Sequence, residues 1–136
     1  MKIAGAALDQ IRRHAEAGYP REICGLMIAA KGSALVSQTR PIRNTVVDRA
    51  RDRYELDPIE YIRAQKECDE HGLDVLGYYH SHPDHPAQAS RTDAQRSWAG
   101  TSYLIVSCVR GRCADQNTFR AERDGGPMRQ EELIIV

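Results

Sequence analysis

The sequence predicts one mixed α/β domain (α+β class) with a largely antiparallel or mixed sheet, and three observations carry that prediction. The chain has 136 residues with no internal repeat, linker or low-complexity tract, a length that fits one domain able to bury about two-thirds of its unfolded surface. Two helical periodicities, at residues 6–18 and from Asp57 to Gly72, are interleaved with apolar runs that read as buried strands. The second half then runs strand after strand between glycine turns, which favours helices packed on a sheet over a bundle or a sandwich.

Taken in order, Leu8, Ile11 and Ala15 share one face of the first helix, Gly18 suits its C′ position and Pro20 blocks continuation. Ile23 to Ala30 is too continuously apolar for a half-exposed strand and reads as a central one. Lys31-Gly32-Ser33 signals a turn, and Ala34 to Thr39 reads as the returning strand of a hairpin. Residues 40–56 are polar and arginine-rich, which predicts a mobile surface loop ending in a short strand at Tyr54-Glu55-Leu56. Asp57 is the N-cap of the clearest helix, with Pro58 at N1, Glu60 in a capping-box-like position and Gly72 beyond its end. Tyr61, Ala64 and Cys68 line one face of it, flanked by Ile59 and Ile62.

Asp74 to Pro83 is the central strand, followed by a proline-containing loop over 83–90 that carries His85. A helix is expected at 91–99, holding Trp98 and ending at Gly100. Ser102 to Arg110 reads as a buried strand, Gly111-Arg112 as a turn, Gln116 to Arg123 as an alternating strand, and Leu133 to Val136 as a terminal strand.

Composition narrows the function. Nineteen basic and nineteen acidic residues give zero net charge, and no basic tract interleaves with aromatics, so no nucleic-acid partner is expected. The N-terminus turns polar at Asp9, too early for a secretory core, and no apolar run approaches eighteen residues. A cytoplasmic protein without a membrane span is expected. Cys24, Cys68, Cys108 and Cys113 lack C-x-x-C spacing and are expected to be reduced, small apolar residues.

The chemistry concentrates at His80-Ser81-His82-Pro83, seven residues before Ser90 and ten before Asp93. Side chains alternate along a strand, so His80 and His82 point the same way. Pro83 cannot donate to a ladder and marks the strand end. Ser90-Arg91-Thr92-Asp93 reads as a helix start, with Ser90 as N-cap and an acidic first turn. Two imidazoles and one carboxylate converging there, with a fourth position left to water, describe a catalytic zinc site. Such a site also needs a group that moves protons. Glu22, set against the apolar run that starts at Ile23, is the candidate. A fourth protein ligand would close the position that water needs, so His85 is assigned to loop surface or substrate contact.

These stretches resemble the JAMM (MPN+) zinc metalloproteases, and especially small stand-alone bacterial members that process ubiquitin-like sulfur-carrier proteins. The resemblance rests on Tyr19 to Leu26, Arg53 to Pro58, and Gly77 to Pro86 through Ser90 and Asp93, extended by Trp98 and Ser102 to Val106. It implies a curved, mostly antiparallel sheet with helices around it, similar to the cytidine deaminase architecture. It further implies His80, His82 and Asp93 as ligands of one zinc, Glu22 as general acid/base, and Ser90 as a donor to the tetrahedral oxyanion. The implied substrate is the C-terminal Gly-Gly tail of a ubiquitin-like carrier, cut at a peptide or isopeptide bond. The alternative from another class is a non-catalytic MPN interaction module, against which the intact ligand set and Glu22 argue. A deaminase is disfavoured by the missing H-x-E…P-C-x-x-C signature, and a (β/α)₈ amidohydrolase by length.

Overall fold

The computed structural model describes residues 1–136. A two-residue strand, β1 (Lys2–Ile3), leads into α1 (Gly5–Gly18), whose buried residues Ala7, Leu8, Ile11 and Ala15 follow the helical period. Then come β2 (Cys24–Ala30), β3 (Leu35–Val36), β4 (Gln38–Ile42), α2 (Pro58–Glu70), β5 (Leu73–Pro83), α3 (Arg91–Gln95), β6 (Ser102–Val109), β7 (Arg112–Ala121), β8 (Met128–Glu131) and β9 (Ile134–Ile135). The main sheet runs β4-β2-β5-β6-β7-β8, and a small second sheet runs β3-β1-β9. All pairs in the main sheet are antiparallel except β5 with β6, so the sheet is mixed, as expected.

Several boundaries differ from the sequence expectation for local reasons. The returning strand of the first hairpin is divided: β3 leaves to pair with β1, while β4 pairs with β2 and runs on to Ile42. The short strand at 54–56 is reduced to a single bridge between Asn44 and Leu56. The third helix stops at Gln95 instead of 99. Beyond it Trp98 N–H donates to the Tyr103 hydroxyl and Ala99 N–H to the Asp124 carboxylate, so side chains take the donors that a further turn would use. The β6–β7 hairpin closes more tightly than predicted, with Arg110 and Gly111 both in the left-handed region, so β7 begins at Arg112. Met-Arg-Gln-Glu, too polar to read as a strand, forms β8 as an edge strand on β7. The terminal strand is confined to Ile134–Ile135.

The sheet is packed on both faces. Met27, Tyr79, Leu104 and Val106 meet the buried stripe of α1 on one face. Leu26, Ile28 and Ile42 meet Ala64 and Cys68 of α2 on the other. Full burial of side chains of this kind contributes about 1.5–3 kcal/mol each. Ile59 and Ile62 remain exposed and only Ala64 and Cys68 are buried on α2, a narrower stripe than the pattern suggests. Gly77 is required where β5 and β6 meet, since a Cβ there would stand 2.1 Å from the Ser102 carbonyl oxygen. All four cysteines are free, with Cys24, Cys68 and Cys108 buried. No helix is long and apolar enough to cross a membrane.

The alternation along β5 settles where the chemistry sits. Tyr79 faces α1, so its neighbours Tyr78 and His80, and with them His82, face the opposite side. The histidines therefore emerge together at the carboxyl end of the strand, where the segments around Tyr54 and Ser90 form a cleft of about 300 Å³.

Candidate metal centre

His80, His82 and Asp93 meet at the end of β5 and the start of α3. His80 Nε2 lies 3.2 Å from His82 Nε2 and 3.2 Å from Asp93 Oδ1, and His82 Nε2 lies 3.2 Å from Asp93 Oδ2. Ligands about 2.0 Å from a tetrahedral centre stand about 3.3 Å apart, so the spacing matches a zinc site. The His82 tautomer agrees with it. His82 Nδ1 donates to the Pro86 carbonyl at 2.9 Å, which leaves its Nε2 as a lone pair facing another nitrogen and a carboxylate. Three electron-rich atoms directed at one point form a stable arrangement when a cation occupies it.

The electrostatics follow from this crowding. Burial works against the charge of Asp93, yet the two imidazoles beside it, once protonated in the metal-free chain, and the Ser90 N–H hold its carboxyl far below the ordinary carboxylate range. Burial lowers the His80 imidazole, and Asp93 only partly offsets it. For His82 burial acts in the same direction, but the contacts with Asp93 and Pro86 win and raise it.

Asp93 is set by a complete capping box. The Ser90 hydroxyl accepts from Asp93 N–H at 3.0 Å, and the Asp93 carboxylate accepts from Ser90 N–H at 2.9 Å. The cap uses a lone pair of the Ser90 hydroxyl and leaves its hydrogen free to donate, so capping and donation toward the cleft are compatible.

Glu22 is 5% exposed and reaches the same place from the other side of β5. Its carboxylate and the two imidazoles bring ligand atoms within 4.8 Å of one another. Burial pushes its carboxyl up to about 8, with Asp93 adding to the effect and His82 opposing it. By distance Glu22 is a second carboxylate available to a metal. Asp93 differs in touching both imidazoles at 3.2 Å through separate oxygens.

Three supports escaped the sequence reading. Ser81, between the histidines, accepts from Ile23 N–H at 2.9 Å and so fixes Glu22 relative to the strand that carries them. Asn44 donates to the carbonyls of Glu22 and Arg53, and accepts from Val46 and Glu55 N–H, pinning the 43–56 segment over the site. Tyr54 stacks on His80 with ring centroids 4.5 Å apart and planes 24° apart. An asparagine and an aromatic residue in an otherwise charged loop were the available signals. His85 is exposed and lines the cleft.

The family described as prokaryotic homologues of the JAB domain matches residues 5–123. The chain belongs to this family. The JAMM/MPN+ membership expected from the motif therefore holds, and all five predicted site residues lie inside the matched JAB span. A desampylase of Haloferax volcanii is 36% identical over 112 residues, covering 79% of this chain and 80% of that protein. A probable TtuB-protein conjugate cleaving protease of Thermus thermophilus is 32% identical over 98 residues, covering 72% of this chain and 64% of that one. A JAB1/MPN domain protein from Archaeoglobus fulgidus superposes with a TM-score of 0.65 at 20% identity, over 100% of this chain and 97% of its own, and shows the shared fold.

Proposed function

We propose that this JAB-domain protein is a zinc peptidase that hydrolyses the peptide or isopeptide bond following the C-terminal Gly-Gly tail of a ubiquitin-like sulfur-carrier protein. The two relatives, one a desampylase and one a probable protease that cleaves TtuB–protein conjugates, support a hydrolase of ubiquitin-like conjugates. The observation that carries the zinc reading is the set of 3.2 Å separations among His80, His82 and Asp93, with Glu22 beside them.

In this reading His80, His82 and Asp93 hold one zinc per chain. Zinc supplies Lewis-acid charge that acidifies water and polarises a carbonyl. Glu22 accepts the proton of the attacking water and returns it to the departing amine; burial raises its carboxyl in the metal-free chain, and a bound cation would favour the carboxylate that this role needs. The free hydrogen of the Ser90 hydroxyl donates to the oxyanion as it forms. The cleft walls around Tyr54 and Ser90 orient the tail.

A docking edge is available beside the site. Glu55 N–H and C=O are bound by Asn44 and Thr45, whereas the Leu56 N–H and C=O, pointing the other way, have no backbone partner. A thin glycine tail fits such an edge by strand addition. The test is to incubate the protein with ubiquitin-like carriers bearing C-terminal extensions and follow intact mass, with and without a chelator. Loss of the extension only when metal is available is the expected result. Intact carriers under both conditions would favour the interaction-module alternative.

A further inference from the structure

We propose that Tyr54 is the positioning residue of His80, fixing by ring stacking the ligand plane that a hydrogen bond fixes for His82. The inference rests on the metal reading above and concerns how the two imidazoles are held.

An imidazole that ligates through Nε2 must have its ring plane set by something outside the metal, and usually its Nδ1–H donates to a carbonyl or carboxylate for that purpose. His82 follows the rule through the Pro86 carbonyl, at 2.9 Å. His80 does not. It is fully buried, and its Nδ1 is the one buried side-chain polar atom in the chain with no hydrogen-bond partner. What it has instead is packing. In the sheet it is flanked in register by Cys24 on β2 and Ile105 on β6. Its face is covered by the Tyr54 ring at 4.5 Å, nearly parallel to it.

Tyr54 is itself well anchored. Its carbonyl accepts from Arg96 Nη1 at 2.8 Å, and the next residue, Glu55, is bound through both backbone groups to Asn44 and Thr45. The ring is thus delivered by a loop that is tied down on both sides, and it bears on His80 from the cleft side. No protein group bonds its hydroxyl, and its contact with His80 is made by the ring face.

The test uses the full chain and zinc as the probe. Zinc affinity is measured by competition with a chromophoric chelator for the wild type, Tyr54→Phe, Tyr54→Leu, Tyr54→Met and Leu56→Ala. Far-ultraviolet circular dichroism checks that each metal-free chain is folded. Losing an outer support of a ligand typically costs about 10–100-fold in metal affinity. Tyr54→Leu is expected to fall in that range, and Tyr54→Met stands in for it should the leucine variant not fold. Tyr54→Phe should bind zinc within about twofold of the wild type, because the stack survives. Leu56→Ala, in the same segment but away from His80, should also leave affinity unchanged. Cobalt(II) substitution gives an independent readout, since its visible absorption should change in Tyr54→Leu and not in Tyr54→Phe. Wild-type affinity in Tyr54→Leu and Tyr54→Met, or an equal loss in Tyr54→Phe or Leu56→Ala, overturns the inference. A wild-type chain that binds no zinc overturns the metal reading and this inference together, whereas zinc bound equally by every variant overturns this inference alone.

Discussion

Glu22→Gln separates catalysis, metal binding and the electrostatics of burial in one substitution. The amide keeps the shape of the carboxylate but can neither take a proton from water nor hand one to an amine. General acid–base catalysis contributes about 10²–10⁴-fold, so turnover should fall by at least that order while zinc stays bound. Metal-free protein adds a second signal. The Glu22 carboxyl is raised from its ordinary 4.5 to about 8, chiefly by burial. Between those values the folded chain keeps a proton that the unfolded chain has lost. The contribution of this group to stability is therefore complete below about pH 4.5 and is lost as pH rises through about 8. At about 1.4 kcal/mol per pH unit, ionised Glu22 costs the metal-free fold roughly 3–5 kcal/mol.

Gln carries no such cost. Chelated Glu22→Gln should therefore melt higher than the chelated wild type at pH 8.5, by on the order of 10 °C for a domain of this size. The gap should close toward pH 5. Adding zinc should narrow it at high pH, because a divalent cation nearby favours the carboxylate. Thermal unfolding at several pH values, zinc content and carrier cleavage on one preparation decide the matter. Wild-type cleavage by Glu22→Gln refutes the proton-transfer role. Loss of zinc makes Glu22 a ligand or its structural support. Parallel melting curves across pH refute the burial argument.

Asp93→Ala removes the carboxylate that touches both imidazoles and should lose zinc and activity together, as read by metal analysis and cleavage; full occupancy with normal turnover would dismiss the ligand assignment. Ser90→Ala should cost about 1 kcal/mol through the lost cap, seen in denaturant melts, and a larger factor of about 10²–10³ in turnover if its hydroxyl also meets the oxyanion. Gly77→Ala places a methyl group against the Ser102 carbonyl and should destabilise the junction of β5 and β6 by a few kcal/mol, the ordinary range for overpacking. Asn44→Ala should lower turnover and also weaken zinc binding, since Asn44 holds both the Glu22 backbone and the segment that presents Tyr54 to His80; an unaltered rate would show that the loop holds Glu22 without it.

The convergence of His80, His82 and Asp93 was legible because its logic is local. Period-two alternation puts His80 and His82 on one face, and Ser90-x-x-Asp93 is a capping box whatever surrounds it. The apolar runs of β2, β5 and β6 were legible for the same reason, as was Asp57 capping α2, its carboxylate accepting from Ile59 and Glu60 N–H. Three features were not. β1 is two residues long and owes its form to pairing with β3 and with β9, the latter across nearly the whole chain. β8 is a polar edge strand that owes its form to β7. The parallel pairing of β5 with β6 depends on a crossover through α3, which no local pattern reports.

The same division explains why the candidate ligands could be brought together from sequence while their supports could not. A metal ligand must be a histidine or carboxylate at a workable spacing, which narrows the candidates sharply. A support needs only to be present: Asn44 works through its amide, Ser81 through one lone pair and Tyr54 through a flat face. Each acts on a residue at least 22 positions away. Glu22 shows both sides of this. Its type and apolar neighbours nominate it from sequence. Its place beside the imidazoles is held by Ser81 bonding Ile23 and by Asn44 bonding the Glu22 carbonyl, and burial there raises its pKa. The carboxylate is therefore poised by the two strands and the loop that meet around it.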